Sequence, residues 1–276
     1  MSGRGRFPSV SAESNRVRRR PAWSPVLALA GLLMAGAAAA EIAAPAAIGY
    51  SVVATYPHDK NAFTQGLVYV GGALYESTGL YGRSSLRRVD LNSGRPEAIR
   101  TLDARYFGEG LTAFGDRLIQ LTWRAGTGFV YARRDLRPLG QFRYPTEGWG
   151  LTQDGKNLIM SDGSATLYFL DPDRFTEVRR IQVRDHRGPV KFLNELEFVG
   201  GVIFANVWQS PRIVRIDAVS GRVTGIIDLS ALVDRTRRDP STDVLNGIAY
   251  IPGNGRLLIT GKLWPSLYAI ELLRSD

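Results

Sequence analysis

The chain has 276 residues, no cysteine and a formal net charge of +9. Six arginines and one glutamate lie in residues 1–40, so the remainder holds 29 basic and 25 acidic residues, a net charge of about +4. That modest charge gives little support to nucleic-acid binding, and a sequence without cysteine has neither disulfide bonds nor thiol catalysis available to it.

Residues 1–40 have the layout of a signal peptide. Four arginines at 16–20 precede an apolar run over 26–36, and Ala38-Ala39-Ala40 supplies the small residues of a cleavage site. The apolar run is shorter than the roughly 20 residues of a membrane-spanning helix. We therefore predict a cleaved leader over 1–40, export to the periplasm or the exterior, and no stable membrane association afterwards. Residues 41–276 are then expected to form a single domain.

A short motif recurs five times along the rest of the chain. In each copy one residue occupies an equivalent position, and successive copies are 44, 40, 45 and 52 residues apart. A period of about 40–45 residues is typical of four-stranded propeller blades. The equivalent residues are Gln65, Glu109, Trp149, Asn194 and Asn246. Glu109 is the one acid among them, which makes it the first functional candidate.

The first repeat reads as four short strands, at 65–69, 73–77, 85–90 and 98–102. Gly71-Gly72 and Asn92-Ser93-Gly94 separate them with residues that suit tight hairpin turns. The same turn chemistry returns in the later repeats. The sequence therefore predicts an all-β protein with the fold of a five-bladed β-propeller.

The two ends of the predicted propeller complement each other. The fifth repeat supplies strands near 246–251, 256–260 and 266–271 but no fourth strand, whereas 50–56 is a spare strand before the first repeat. We predict that this N-terminal strand completes the last blade, which closes the ring and removes two exposed sheet edges. The polar insertion 230–243 explains the longest step and is expected to be a surface loop with a short helical turn.

The predicted blades place a site at one mouth of the ring. Neighbouring strands are antiparallel, so the start of each first strand and the end of each second strand lie on the same face. Burial among glycines and aromatic rings would raise the pKa of Glu109 toward neutrality and suit it to proton transfer. The other residues expected at this mouth are Phe63, Gln65, Phe107, Trp123, Trp149, Asn194, Trp208, Asn246 and Lys262.

Other chemistries find less support. His58 and His186 have no zinc-ligand spacing and are expected in solvated loops. A calcium-dependent lactonase-like propeller remains an alternative, with Glu109, Asn194 and Asn246 as ligands and Asp162 as the candidate second carboxylate. A non-catalytic propeller that binds peptides or glycans through its tryptophans is another.

Several motifs resemble those of the glutaminyl-peptide cyclotransferases of the plant and bacterial type. They are Phe-Thr-Gln-Gly-Leu at 63–67, Phe-Gly-Glu-Gly-Leu at 107–111, Leu-Thr-Trp at 121–123, Gly-Trp-Gly-Leu at 148–151, Leu-Asn-Glu-Leu-Glu at 193–197, Asn-Val-Trp at 206–208, Leu-Asn-Gly-Ile-Ala-Tyr at 245–250 and Gly-Lys-Leu-Trp-Pro at 261–265. The resemblance covers about residues 50 to 273 in order.

The resemblance implies a five-bladed propeller that converts N-terminal glutamine of peptides or proteins into pyroglutamate, with no cofactor and no catalytic metal. Glu109 would be the catalytic acid/base, and Lys262 or Gln65 would stabilise the developing oxyanion. We expect a monomer. The substrate-binding residues would be Gln65 and Asn194 together with an aromatic pocket of Phe63, Phe107, Trp123, Trp149 and Trp208.

Overall fold

The computed structural model describes residues 43–273 and contains five antiparallel sheets arranged as the blades of a β-propeller. The predicted fold class is confirmed. The predicted leader over 1–40 lies outside the described residues. Within 43–273, no helix has the length and apolar character needed to cross a bilayer.

The blades follow one another along the chain, each from the axis outward. Blade 1 contains Thr64–Val70, Ala73–Thr78, Ser85–Val89 and Pro96–Thr101, and blade 2 contains Gly108–Phe114, Arg117–Thr122, Thr127–Ala132 and Pro138–Arg143. Blade 3 contains Leu151–Gln153, Leu158–Ser161, Thr166–Leu170 and Glu177–Gln182, and blade 4 contains Leu193–Val199, Val202–Val207, Arg212–Asp217 and Val223–Asp228. The predicted strands of the first repeat differ from these by at most two residues at either end.

The last blade is completed from the other end of the chain. Its strands Leu245–Ile251, Arg256–Gly261 and Ser266–Leu272 are joined by Tyr50–Pro57, which pairs antiparallel with the third of them. The predicted closure is therefore confirmed. Just before it, Ala46–Ala47 pairs parallel with the outer strand of blade 4, so the N-terminal segment ties two neighbouring blades together.

Two small elements lie between blades. A hairpin of Arg184–Asp185 and Gly188–Pro189 follows blade 3, and the helix Ser230–Thr236 follows blade 4. The helix falls in the insertion where a helical turn was predicted. Its residues Leu232 and Val233 are buried in the apolar cluster between blades 4 and 5, so this part of the insertion is packed against the propeller.

The hydrophobic core consists of apolar layers between successive blades. Each layer combines side chains from two neighbouring sheets, as where Leu86 of blade 1 meets Leu111 and Leu118 of blade 2. The second strand of every blade contributes an equivalent side chain with at most 2% exposure: Leu74, Leu118, Leu158, Ile203 and Leu258. Burial of these layers fixes how the inner strands are presented to the axis.

The inner strands bulge where the repeated motif lies. The register with the second strand shifts between Gly108 and Leu111 in blade 2, and equivalent shifts occur in blades 1, 4 and 5. A bulge lets a strand aim one side chain differently from its neighbours. Four of the five motifs have glycine at the next position. In blade 3 the reason is steric, because a Cβ on Gly150 would overlap the carbonyl oxygen of Asn194 in the next blade. The residue before this position lies at the mouth in blades 1 to 4, as Gln65, Glu109, Trp149 and Asn194.

Blade 4 carries Glu195 where the other four blades carry glycine. Its side chain is fully buried, and its two carboxyl oxygens accept hydrogen bonds from the backbone N–H groups of Leu67, at 3.2 Å, and Ile248, at 2.7 Å. Burial, followed by the nearby charge of Glu197, raises the pKa of Glu195 well above its usual value. Glu195 therefore links the inner strands of blades 1, 4 and 5.

The prediction that both histidines lie in solvated loops is wrong for His58. Its Nδ1 donates to the carbonyl oxygen of Trp264 at 2.7 Å, and its Nε2 lies 3.0 Å from Oε1 of the buried Glu76. The reason is ring closure: His58 directly follows the strand that completes blade 5 and is sealed between that blade and blade 1. His186 is exposed, as predicted.

Candidate active site

The predicted site residues meet in one cavity. It has a volume of about 400 Å³ and opens where the inner strands begin and the second strands end. Each of the nine residues predicted as catalytic or substrate-binding lines it: Phe63, Gln65, Phe107, Glu109, Trp123, Trp149, Asn194, Trp208 and Lys262. The propeller thus gathers side chains from all five blades at a single mouth.

Glu109 lies in the bulge of blade 2 and is 4% exposed. Its Oε1 accepts a hydrogen bond of 2.7 Å from Nε2 of Gln65. Burial raises the pKa of Glu109 well above its usual value, and the charge of Lys262 and the Gln65 hydrogen bond only partly oppose this. A carboxyl group in this state can both accept and return a proton near neutral pH.

Lys262 brings a positive charge to the same cavity. Its side chain is 5% exposed, and its Nζ lies 4.9 Å from the centroid of the Phe63 ring, within the range of a cation–π contact. Burial lowers the pKa of Lys262, whereas the charges of Glu109 and Asp243 oppose the shift. An ammonium group here can stabilise negative charge on a bound ligand.

Aromatic rings form the walls. Phe107 makes edge-to-face contacts with Phe63 at 6.0 Å and with Trp123 at 5.6 Å between centroids. Trp149 and Trp208 form a second such pair at 5.7 Å. This packing suits the ring quadrupoles and gives a rigid apolar surface. The cavity therefore combines a buried acid and a buried cation with apolar, aromatic walls.

Glu147 is a functional candidate that the sequence reasoning did not assign. Its Oε2 accepts hydrogen bonds from the indole N–H groups of Trp123, at 2.7 Å, and Trp149, at 3.0 Å. Arg124 donates to its Oε1 at 3.0 Å and lies 3.9 Å above the Trp123 ring. The signal was available, because Glu147 occupies the motif position where blades 1 and 2 have phenylalanine.

Four further residues line the cavity without having been predicted: Leu80, Gln209, Asp243 and Val244. Leu80 and Gln209 have positive φ angles of 82° and 60° just after the second strands of their blades. Left-handed backbone at a residue other than glycine is uncommon. The residue types at these two positions do not indicate a left-handed backbone, and for that reason the sequence did not predict Leu80 and Gln209 as cavity residues.

Asn194 offers an unused acceptor to this cavity. Within residues 43–273 its buried Oδ1 has no hydrogen-bond partner. Buried amide oxygens are normally satisfied. This atom is therefore available to a donor on a ligand.

Two residues considered for the mouth lie elsewhere. Asn246 does not line the cavity: it is fully buried behind Gln65, because its amide is drawn to the backbone carbonyl of Thr64. Asp162 uses its oxygens to accept hydrogen bonds from Ser164 and Tyr168 in a loop of blade 3. The calcium-binding alternative therefore has neither of these ligands at the cavity.

Most of the chain is similar to known proteins. The profile of a family described as glutamine cyclotransferase matches residues 25–272. A glutaminyl-peptide cyclotransferase of Arabidopsis thaliana is 48% identical over 229 residues, which are 82% of this chain and 72% of that protein. The crystal structure of Myxococcus xanthus glutaminyl cyclase superposes with a TM-score of 0.79 at 41% identity, covering 84% of this chain and all of that one.

Proposed function

This chain belongs to the glutamine cyclotransferase family, and we propose that it converts the N-terminal glutamine of peptides and proteins into pyroglutamate and ammonia by proton transfer through Glu109. The observation that carries this mechanism is the buried Glu109 carboxyl at the cavity, hydrogen-bonded to Gln65 at 2.7 Å and near the charge of Lys262. The reaction is supported by the similarity to a glutaminyl-peptide cyclotransferase and a glutaminyl cyclase. The mechanism is supported by the residues that line the cavity.

The reaction needs little besides positioning and one proton transfer. The α-amino nitrogen attacks the side-chain amide carbon of the same glutamine, a C–N bond closes the five-membered ring, and the bond to the amide nitrogen breaks. An α-amine has a pKa of about 8, so part of it is neutral at pH 7. Glu109 takes the proton that the attacking amine loses and returns it to the departing nitrogen, which leaves as ammonia.

The other residues bind and orient the substrate. The aromatic walls hold the glutamine side chain in the folded conformer in which amine and amide carbon meet. Lys262 stabilises the oxyanion that forms at the amide carbon. Asn194, through its free Oδ1, accepts a hydrogen bond from a substrate N–H group. Glu147 holds the two indoles of Trp123 and Trp149 in place.

Glu109→Gln tests the mechanism, because the amide keeps the size of the side chain but cannot shuttle a proton. We expect turnover of a Gln-initiated dipeptide, measured as ammonia release, to fall by about 10²–10⁴-fold while the thermal midpoint stays close to that of the parent. Glu97→Gln, which alters an exposed surface pair with Arg88, is the matched control and should keep full activity. Undiminished turnover of Glu109→Gln would remove Glu109 from this role.

Two further arms of the assay address the other functions. An N-acetylated dipeptide lacks the attacking amine, so it should release no ammonia, whereas a non-catalytic binding propeller would release none from either peptide. We expect turnover without a metal, so incubation with a chelator should leave the rate unchanged. Loss of activity in the chelator, restored by calcium, would contradict this.

The proposal extends to where the enzyme acts. The basic and apolar leader over 1–40 supports export, with cleavage before Glu41. The mature enzyme is proposed to act as a monomer on peptides and proteins outside the cytoplasm, without a membrane anchor.

A further inference from the structure

A line of buried amides runs from the backbone of blade 1 to Glu109. The Nδ2 of Asn246 donates to the carbonyl oxygen of Thr64 at 3.0 Å and to Oε1 of Gln65 at 3.2 Å. The Nε2 of Gln65 then donates to Oε1 of Glu109 at 2.7 Å. The three side chains are at most 4% exposed. Solvent therefore does not compete for these contacts.

The direction of this line is set at its first member. A backbone carbonyl only accepts hydrogen bonds, so Asn246 must turn its NH₂ group toward Thr64. The second hydrogen of the same NH₂ group then meets Gln65, which must present its oxygen to Asn246 and its NH₂ group to Glu109. Turning the Gln65 amide over would set two NH₂ groups against each other. The orientation of Gln65 is therefore fixed by Asn246.

Asn246 is itself held from the neighbouring blade. The next residue, Gly247, has a φ of 126° and donates its backbone N–H to Oδ1 of the buried Asn206 at 3.0 Å. Blade 4 thereby anchors the bulge of blade 5 that carries Asn246. The position of Asn246 is therefore fixed through the backbone of Gly247 as well as through its own side-chain hydrogen bonds.

We propose that Asn246 is a positioning residue, which makes Gln65 a one-way hydrogen-bond donor to Glu109 and so directs the proton that Glu109 carries toward the cavity. The inference rests on the proposed proton shuttle and adds Asn246 to the residues that serve it. A protonated Glu109 has no acceptor in Gln65 as oriented, so its O–H group points to the substrate. An ionised Glu109 receives the Gln65 hydrogen bond, which prepares it to act as the base.

The other charged groups around Glu109 set the background for this effect. Lys262 lowers its pKa, whereas burial and the charge of Glu147 raise it, and the phenol of Tyr144 is near enough to respond to the Glu109 charge. None of these groups is changed by substituting Asn246. A change in the titration of Glu109 after that substitution therefore reports on Gln65.

The experiment is a double-mutant cycle with Asn246→Leu and Gln65→Met, read by ¹³C NMR titration of the Glu109 carboxyl in the substrate-free enzyme. The Glu109→Gln spectrum identifies the resonance. Asn246→Leu frees Gln65 to accept from a protonated Glu109, so we expect the pKa of Glu109 to rise by about 0.5–1, the equivalent of one modest hydrogen bond. At pH values below that pKa, kcat/KM should be about 3–10-fold lower than in the parent. The acid limb of the kcat/KM profile should move to higher pH by the same amount as the pKa. In the Gln65→Met background, Asn246→Leu should have no further effect.

Thr152→Val is the matched control, since it removes a buried hydrogen-bonding side chain from the inner strand of blade 3 without touching Gln65. It should lower the thermal midpoint and leave the acid limb unmoved. If Asn246→Leu does not fold, Asn246→Ser withdraws the Gln65 contact with a smaller change. An unchanged carboxyl titration in a folded Asn246 variant, or additive effects in the cycle, would overturn the inference. Activity retained by Glu109→Gln would instead contradict the proposed shuttle, and a shifted carboxyl titration would still support the role of Asn246.

Discussion

The buried pair of His58 and Glu76 gives a sharp test of how the ring is closed. Both ring nitrogens of His58 face acceptors, the carbonyl oxygen of Trp264 and the carboxylate of Glu76, an arrangement that favours the charged ring with hydrogen on both nitrogens. Burial opposes that charge, but the charge and hydrogen bond of Glu76, together with the Trp264 hydrogen bond and the charge of Asp59, outweigh it and raise the pKa of His58. Burial likewise opposes ionisation of Glu76, but His58, together with the charge of Arg87 and the Thr64 hydrogen bond, outweighs it and lowers the pKa of that carboxyl.

Glu76→Gln should leave the imidazolium buried without its counter-charge. The side chains of the pair are 3% and 2% exposed, so the cost is that of breaking a buried ion pair, about 3–5 kcal/mol. For a domain of this size, that corresponds to a fall of roughly 6–20 °C in the thermal midpoint. Glu97→Gln, in the exposed pair with Arg88, should cost less than about 1 kcal/mol.

The pH dependence of the loss has a defined sign. Stability from the raised pKa of His58 is fully present below its unfolded value of about 6.5 and is lost as pH rises through the folded value. Stability from the lowered pKa of Glu76 is present above its unfolded value of about 4.5 and is lost as pH falls through the folded value. The difference between parent and Glu76→Gln in urea unfolding should therefore be largest between about pH 4.5 and 6.5. A difference below 1 kcal/mol, or one that does not vary from pH 5 to 9, would refute the reasoning.

Two other predictions concern the inner strands and the leader. Gly150→Ala should destabilise the propeller by about 3 kcal/mol or more in urea, because its Cβ would overlap the Asn194 carbonyl, whereas Gly253→Ala, whose Cβ meets no atom within 4 Å, should change stability by less than about 0.5 kcal/mol. Equal effects would contradict the close approach of the blades. The proposed export predicts that N-terminal sequencing of the protein from the extracytoplasmic fraction begins at Glu41, and recovery of the chain from the cytoplasm with residues 1–40 intact would count against it.

Patterns in the sequence were enough to predict the fold and most residues of the site. Hairpin turn residues are properties of short stretches, and a motif that recurs every 40–52 residues can be read along the chain, so together they predicted the blades and the spare strand at 50–56. Because inner strands of a propeller all begin at one mouth, the repeated position also identified Glu109 and Gln65 as neighbours, although they are 44 residues apart. Positions that repeat in every blade can therefore be recognised from the sequence and assigned to the same face of the ring.

Only the tertiary structure decided what each polar group meets. Asn246 and Gln65 are 181 residues apart and touch because the ring closes between blades 5 and 1. The same closure buries His58 against Trp264, which is 206 residues away, and turned a predicted solvated loop into an ion pair. Hydrogen-bond direction and desolvation depend on separations of a few tenths of an ångström between distant segments, and a pattern of residue types does not contain those separations. The sequence by itself placed nine of the cavity residues at the mouth, because they sit at repeated positions of the blades, and the closed ring determined which way their hydrogens point.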